Sequence, residues 1–231
     1  MIKKLNIGCG NNLIQDSSWI NIDNSLIAKL RNSYLWFIFN YIINIKFIKK
    51  KLPSYFFNYP KVKIVDIRKK LPFSQNFFQY IYCAQVIEHL FYTDLQHLLS
   101  QCFKVLKPGG TIRLLTPDLQ KLIKLYNSSN IDEFKKNNFL DSKNLCDHFN
   151  SFFFPRSHIL KTKRSFFVKL MDFLPEQHKY IYDFNTLSKM MKEVGFEEVK
   201  VVETVNSIIP DVKSLDQWQE CSILLEAKKP R

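Results

Sequence analysis

The sequence predicts an α/β protein built on one open, mostly parallel sheet. Short apolar runs alternate with stretches of helical period along most of the 231 residues. Polar residues suited to holding a ligand recur at the carboxyl ends of successive runs, where open parallel sheets bind their ligands. Composition agrees: 46% hydrophobic and 24% charged residues are ordinary for a globular chain long enough to bury its own core. No repeat or low-complexity tract divides it, so a single domain over 1–231 is expected.

Taken in order, "KLNIG" (4–8) reads as a short buried strand running into Gly8, Cys9 and Gly10. "WINID" (19–23) is a second strand ending in Asp23, and "KVKIVDI" (61–67) a third with Asp66 at its end. "YIYCAQ" (80–85) is the fourth, ending at Gln85. "YTDLQHLLSQCFKVL" (92–106) sets Leu95, Leu98, Leu99, Cys102 and Leu106 on one helical stripe, with Thr93 or Asp94 as N-cap and Lys107-Pro108-Gly109-Gly110 as its stop. "TIRLL" (111–115) is the fifth strand; Thr116-Pro117-Asp118 then opens a helix as cap, N1 proline and first-turn acid. "FNTLSKMMKEVGF" (184–196) is a helix closed by Gly195, and "EEVKVVET" (197–204) and "CSILLEA" (221–227) form a closing antiparallel pair. Two segments break the alternation. Residues 26–60 contain "YLWFIFNYIINIKFI" (34–48), and residues 128–175 contain "FNSFFFPRSH" (149–158); both read as insertions over the ligand-binding rim.

Cysteines 9, 83, 102, 146 and 221 form no CxxC and no metal-like spacing, so they read as small buried hydrophobes in a reducing compartment. No apolar run follows Lys3 and Lys4 as a signal peptide would require, and a cytoplasmic location is expected. The net charge of +13 attracts polyanions in general, and also follows from a Lys-, Asn- and Ile-rich composition. The basic clusters are short and lack aromatic residues interleaved with arginine, the pattern of RNA readers.

Gly8 and Gly10 are two of only five glycines, and they sit just behind an apolar run. A Gly-x-Gly turn after a strand lets main-chain N–H groups approach a ligand with no Cβ in the way. The dinucleotide fingerprint G-x-G-x-x-G fails, because Leu13 stands at the third glycine. An acid ending the second strand, Asp23, accepts hydrogen bonds from both hydroxyls of a ribose; one ending the third, Asp66, accepts from an exocyclic adenine amine. The set suits an adenosine and offers no clear cradle for a pyrophosphate.

"LNIGCGNN…WINIDNS…VDIRKKLPF…FQYIYCAQVIEHL…VLKPGGTIRLLTPDL…YDFNTLSKMMKEVGF…SILLEAKKP" resembles the class I, S-adenosylmethionine-dependent methyltransferases over residues 3–25, 61–126 and 178–229. More narrowly it is similar to methyltransferases encoded among bacterial surface-polysaccharide genes. All five glycines fall on these motifs. The resemblance implies a Rossmann-like, seven-stranded, mostly parallel sheet with an antiparallel last strand and helices on both faces. It implies S-adenosylmethionine as cofactor and S-adenosylhomocysteine as product. Gly8, Cys9 and Gly10 would surround the methionine moiety, Asp23 the ribose, Asp66 and Ile67 the adenine, and Gln85 would lie beside the sulfonium. Two departures stand out: Gln79 replaces the usual acid of an "FDxI" motif, and the stretch from Gly10 to Asp23 is too short for a full helix, so that crossover is expected to be truncated.

On the acceptor side, "QVIEHL" puts Glu88 and His89 just past the fourth strand as candidate catalytic groups. Some O-methyltransferases with an E-x-x-E-H pattern bind a metal there; with Gln85 at the first acid, no metal is expected. His178 and Tyr182 of "HKYIYDF" are candidates for the substrate rim, and Asp118 is a candidate for either the acceptor side or the helix start. Asp183 is read as N-cap or catalytic group, and His148 and His158 receive no role. The expected activity is methylation, at oxygen, of a small or carbohydrate-type acceptor. An RNA or tRNA methyltransferase and a non-catalytic cofactor-binding member of the fold are the alternatives. The apolar piece 34–48 is shorter than the roughly 20 residues that span a bilayer. It reads as a lid helix or dimer contact, or, with Lys49–Lys51, as a peripheral contact of 34–51 with an anionic inner-membrane surface.

Overall fold

The structure, a computed structural model, describes residues 2–10, 12–33, 62–130, 132, 144–153, 177–216 and 220–231. The apolar segment 34–48, the lysines after it, His158 and "KRSFFVKLMDF" lie outside the described residues.

Seven strands form one sheet. β1 (Lys4–Ile7) pairs in parallel with β2 (Trp19–Asp23) on one side and β4 (Phe78–Ala84) on the other. β3 (Lys63–Ile64) continues outward from β2, and β5 (Leu106–Pro117) follows β4, both in parallel. β7 (Ser222–Lys228) runs antiparallel between β5 and β6 (Glu197–Val201). The order is β3-β2-β1-β4-β5-β7-β6, with only β7 reversed. The sheet order reverses direction at β1 and β4, and their carboxyl ends form the crevice in which such sheets bind ligands.

The central strands are apolar on both faces because helices cover both. Along β4, Ile81 and Cys83 face a core shared with Leu95, Leu98 and Leu99 of α2 (Tyr92–Val105) and Leu187, Met190 and Met191 of α5 (Phe184–Val194). Tyr82, between them, faces the opposite layer with Trp19, Leu115, Leu224 and Val212 of α6 (Val212–Leu215). This alternation is the two-residue period of a strand buried on both sides. Each of the three α2 leucines is 0–1% exposed, and such burial contributes about 1.5–3 kcal/mol per side chain. α1 (Leu26–Arg31) follows β2, and α3 (Leu119–Asn127) packs with α4 (Leu145–Phe153) through Leu122, Leu125 and Phe149. The described residues of 26–60 and 128–175 thus include the helices α1 and α4.

Several boundaries differ from expectation. The third strand shrinks to Lys63–Ile64, because the Arg68 and Lys69 amides donate back to Asp66 and turn the chain. Neither Thr93 nor Asp94 caps α2: its N-cap is Phe91, with no side-chain cap, and both polar residues lie in the first turn. The Lys107–Gly110 stretch does not terminate a helix by a loop. α2 ends at Val105 and β5 begins at Leu106, with Gly109 and Gly110 hydrogen-bonded to the carboxyl-terminal tail through Lys229. Pro117 is the last residue of β5, so the cap of α3 is Asp118, which accepts from the amides of Gln120 and Lys121 at 2.9 and 3.4 Å. Asp183 caps α5, accepting from the Thr186 amide at 2.8 Å, and Gly195 closes that helix at φ 109°.

Candidate active site

The β1–β2 connection carries no helix among its described residues. Two buried asparagines supply the hydrogen bonds that a helix would have made internally. The Asn6 amide on β1 donates to the Asn12 carbonyl at 2.8 Å and to Asn21 Oδ1 at 2.9 Å. Asn21 on β2 donates to the Ile14 carbonyl and accepts from the Ile14 amide. The short connection holds the turn after β1 directly against the end of β2.

In that turn Gly8 and Gly10 both adopt left-handed φ, 61° and 48°. At Gly8 the missing Cβ makes room for protein: it would lie 2.3 Å from Val86 Cγ2. At Gly10 the nearest atom to a Cβ among the described residues is the Gly8 carbonyl oxygen, 3.9 Å away. Asp23, buried at the end of β2, accepts from the Gly10 amide at 2.8 Å and from the Ser25 amide at 2.6 Å. Cys9 is buried, and its amide donates to the Ile22 carbonyl. The structure therefore brings Gly8, Cys9, Gly10 and Asp23 together as one unit.

Asp66 lies one strand further out, and Arg68, absent from the sequence-based site, grips its carboxylate with Nε at 2.9 Å and Nη2 at 2.8 Å. That guanidinium holds the Asp66 carboxyl below its ordinary value. Ile67 packs half-buried against the main core. Gln85 leaves β4 at φ 54° and donates from Nε2 to Ser222 Oγ at 3.2 Å, toward the start of β7.

The acceptor-side candidates are held by a different set of bonds. Residues 87–89 form a 3₁₀ turn after β4. Glu88 is fully buried; Thr116 donates to its Oε2 at 3.2 Å, and its Oε1 has no hydrogen-bond partner among the described residues. Burial pushes its carboxyl up to about 8, so it is largely protonated at neutral pH. The Glu88 carbonyl accepts from the amides of Lys179 and Tyr180, which brings residues 177–182 onto the turn. His178 thereby meets His89 edge to face, with ring centroids 4.8 Å apart. Burial, with His89 alongside, pushes His178 down to about 4. One ligand-capable atom from each of Glu88, His89 and His178 lies within 4.8 Å of the others.

Tyr182 takes another place than the expected rim, and Asp118 takes its helix-start alternative. Tyr182 is buried in the main core, so it does not line a substrate rim; its main chain bridges to Asp118 and accepts from the Leu119 amide. Asp118 serves α3 as its cap. Sequence reading missed Val86, Arg68 and Thr116. Thr116 had a signal, standing at the carboxyl end of the fifth strand; Val86 had none, since only the packing at Gly8 reveals it.

A methyltransferase-domain profile matches residues 43–114 of the sequence. The match begins after Gly8, Gly10 and Asp23 and includes the turn of Glu88 and His89. No curated protein matches the chain in sequence. Among solved structures, the chain is similar to an S-adenosylmethionine-dependent methyltransferase from Archaeoglobus fulgidus, at 17% identity and a TM-score of 0.51, covering 99% of this chain and 86% of that one. It is also similar to one from Methanosarcina mazei, at 16% identity and a TM-score of 0.46, over 99% of this chain and 92% of that one. Human N-acetylserotonin methyltransferase, solved in complex with S-adenosylmethionine, is 11% identical with a TM-score of 0.48; the match covers 99% of this chain and 47% of that one. The Archaeoglobus likeness is one of fold, and the fold is that of the class I methyltransferases.

Proposed function

We infer that this chain, a methyltransferase that takes S-adenosylmethionine as its cofactor, methylates a hydroxyl of a small or carbohydrate-type acceptor. The observation that carries the reading is the Asp23 carboxylate docked on the Gly10 amide at the joined ends of β1 and β2, next to a buried carboxyl and two imidazoles at the end of β4. A carboxylate at the first place fits ribose hydroxyls, and a glycine at position 10 fits close main-chain approach by a ligand. Asp66 and Ile67 are assigned to the adenine, and Gln85 to the neighbourhood of the sulfonium.

When bound, the cofactor supplies an activated methyl group on sulfur. The chain positions the acceptor oxygen in line with it and handles the proton that leaves as the new bond forms. An acidic acceptor needs no such help, whereas a sugar hydroxyl does. The Glu88, His89 and His178 cluster favours the hydroxyl. Glu88, protonated at neutral pH, is no carboxylate base in that state, which leaves half-exposed His89 as the member placed to meet the acceptor.

Calorimetric titration of S-adenosylmethionine and S-adenosylhomocysteine into the wild type and Asp23→Ala tests the cofactor assignment. Micromolar binding that the substitution weakens by about tenfold or more, roughly 1.4 kcal/mol, supports it. Absence of binding by the folded wild type overturns it. No described helix is long and apolar enough to cross a membrane, and a peripheral membrane contact through 34–51 stays a proposal, tested by vesicle co-sedimentation with and without residues 30–52.

A further inference from the structure

We propose that the end of the sheet opposite the crevice is a docking surface for an anionic lipid bilayer. Four stretches of chain meet there: residues 2–4, 74–79, 103–110 and 227–231. Together they hold seven lysines and arginines and no aspartate or glutamate. Main-chain bonds join them. The Gln79 amide donates to the Lys3 carbonyl at 2.9 Å, and the Asn76 and Phe77 amides donate to the Lys104 and Val105 carbonyls at 3.1 and 2.8 Å. The Gly109 amide donates to the Lys229 carbonyl at 2.9 Å. A Cβ at Gly109 would lie 3.5 Å from Arg231 Cγ, so the Arg231 side chain lies across that turn.

The cations divide into two groups. Lys4 is matched by Asp16 and Asp211, each 3.4 Å away, and Lys228 by Glu198 at 2.7 Å. Lys229 turns inward: its Nζ donates to Asn76 Oδ1 at 2.8 Å and to the Phe103 and Leu106 carbonyls at 2.8 and 2.9 Å, which fixes the tail against the end of α2. Lys3, Lys104, Lys107 and Arg231, by contrast, pair with no acid among the described residues. Lys104 and Arg231 are exposed, and Lys3 and Lys107 half-exposed. Two apolar side chains stand with them: Ile2, 54% exposed, and Phe77, 36% exposed and set edge to face on buried Phe78. Glu197, opposite Lys228 on β6, marks the outer border.

An anionic bilayer presents phosphates in one plane with the acyl boundary just beneath it. Unpaired cations around exposed apolar side chains match both layers. A nucleic acid offers the phosphates but no apolar layer for Ile2 and Phe77. Three of the four unpaired cations are also lysines, which lack arginine's planar stacking on bases. The surface lies at the amino ends of β1, β4 and β5, and the crevice at their carboxyl ends. Thr111 to Pro117 of β5 spans the distance between them, about 20 Å at ~3.3 Å per residue. A docked chain therefore keeps its crevice facing water, and an acceptor enters from that side. That consequence rests on the methyltransferase reading; the surface itself does not.

The test is flotation of the full chain with vesicles of phosphatidylcholine and phosphatidylglycerol, against vesicles of phosphatidylcholine alone, at low and high salt. Binding to the anionic vesicles only, falling as salt rises, is expected. Lys104→Glu/Lys107→Glu should weaken that partition by about tenfold or more, and Phe77→Ser should weaken what survives at high salt. Lys69→Glu/Lys70→Glu makes the same change of net charge at exposed lysines next to Asp66, at the other end of the sheet. It should leave partition within about twofold, since charges so far from the membrane are screened. Equal loss from the two pairs of reversals reduces the effect to net charge and overturns the surface, as does no flotation of the folded wild type. Flotation lost on removal of residues 30–52 but kept by Lys104→Glu/Lys107→Glu moves the contact to that segment and overturns this one. A single-stranded RNA bound by the wild type and released by the reversal, with no flotation, gives the surface to nucleic acid instead. Circular dichroism reports that each variant is folded. Failure of S-adenosylhomocysteine to bind removes only the statement about the acceptor.

Discussion

Gly8 and Gly10 share a turn and a left-handed backbone but answer to different constraints. A side chain at Gly8 collides with Val86, which projects from the end of β4 into the space beneath the turn. Among the described residues a side chain at Gly10 meets nothing within 3.8 Å, which leaves the cost of its φ, about 1–2 kcal/mol for an L-residue. Gly8→Ala should therefore lower thermal stability clearly more than Gly10→Ala, and Val86→Ala should recover part of the loss in the double variant. Equal destabilisation by the two single substitutions would show that Val86 is not what holds Gly8 to glycine. Gly10 also donates its amide to Asp23, a bond that Gly8 does not share.

Among the elements, α5 shows how one side chain sets a boundary. Asp183 satisfies the Thr186 amide at the first turn, and that bond holds its carboxyl below the ordinary value of 3.8. A carboxyl depressed in the folded state contributes stability that is present above its unfolded pKa and lost as pH falls through the folded one. Asp183→Ala should cost about 1 kcal/mol at neutral pH, and Asp183→Asn much less. Denaturant unfolding between pH 7 and pH 3 should show the difference between wild type and Asp183→Ala shrinking below about pH 4. A difference that persists unchanged at pH 3 would assign the effect to packing instead of charge. The β1–β2 connection works by the same logic of satisfied amides, with Asn6 and Asn21 in the place of a helical ladder.

At the scale of the whole molecule, one buried arginine ties three separated parts of the chain together. Arg113 of β5 donates to Glu226 of β7 at 2.9 Å, to Asp216 beyond α6 at 2.5 Å and to the Val202 carbonyl at 2.9 Å. Tyr82 and Thr204 donate to the same Asp216 carboxylate. Arg113→Met should destabilise by about 3–5 kcal/mol, because it strands two buried carboxylates; a loss below 1 kcal/mol in denaturant unfolding would mean that the pocket hydrates without cost. Parallel strands, the order of elements and the placing of Gly8, Gly10 and Asp23 at adjoining strand ends were legible in the sequence, since each depends on local period, turn chemistry or position at a strand end. Arg113, by contrast, reads in sequence as one polar residue inside "TIRLL"; its partners lie 89 to 113 positions away. His178 reads as one histidine near a helix start, and the main-chain bonds from Lys179 and Tyr180 to Glu88 bring it to His89. Local sequence determined which segments become strands and helices and which strand ends carry polar groups. The tertiary structure alone decided which distant side chains share a buried space, because burial turns individually ordinary residues into partners and no period along the chain encodes that meeting.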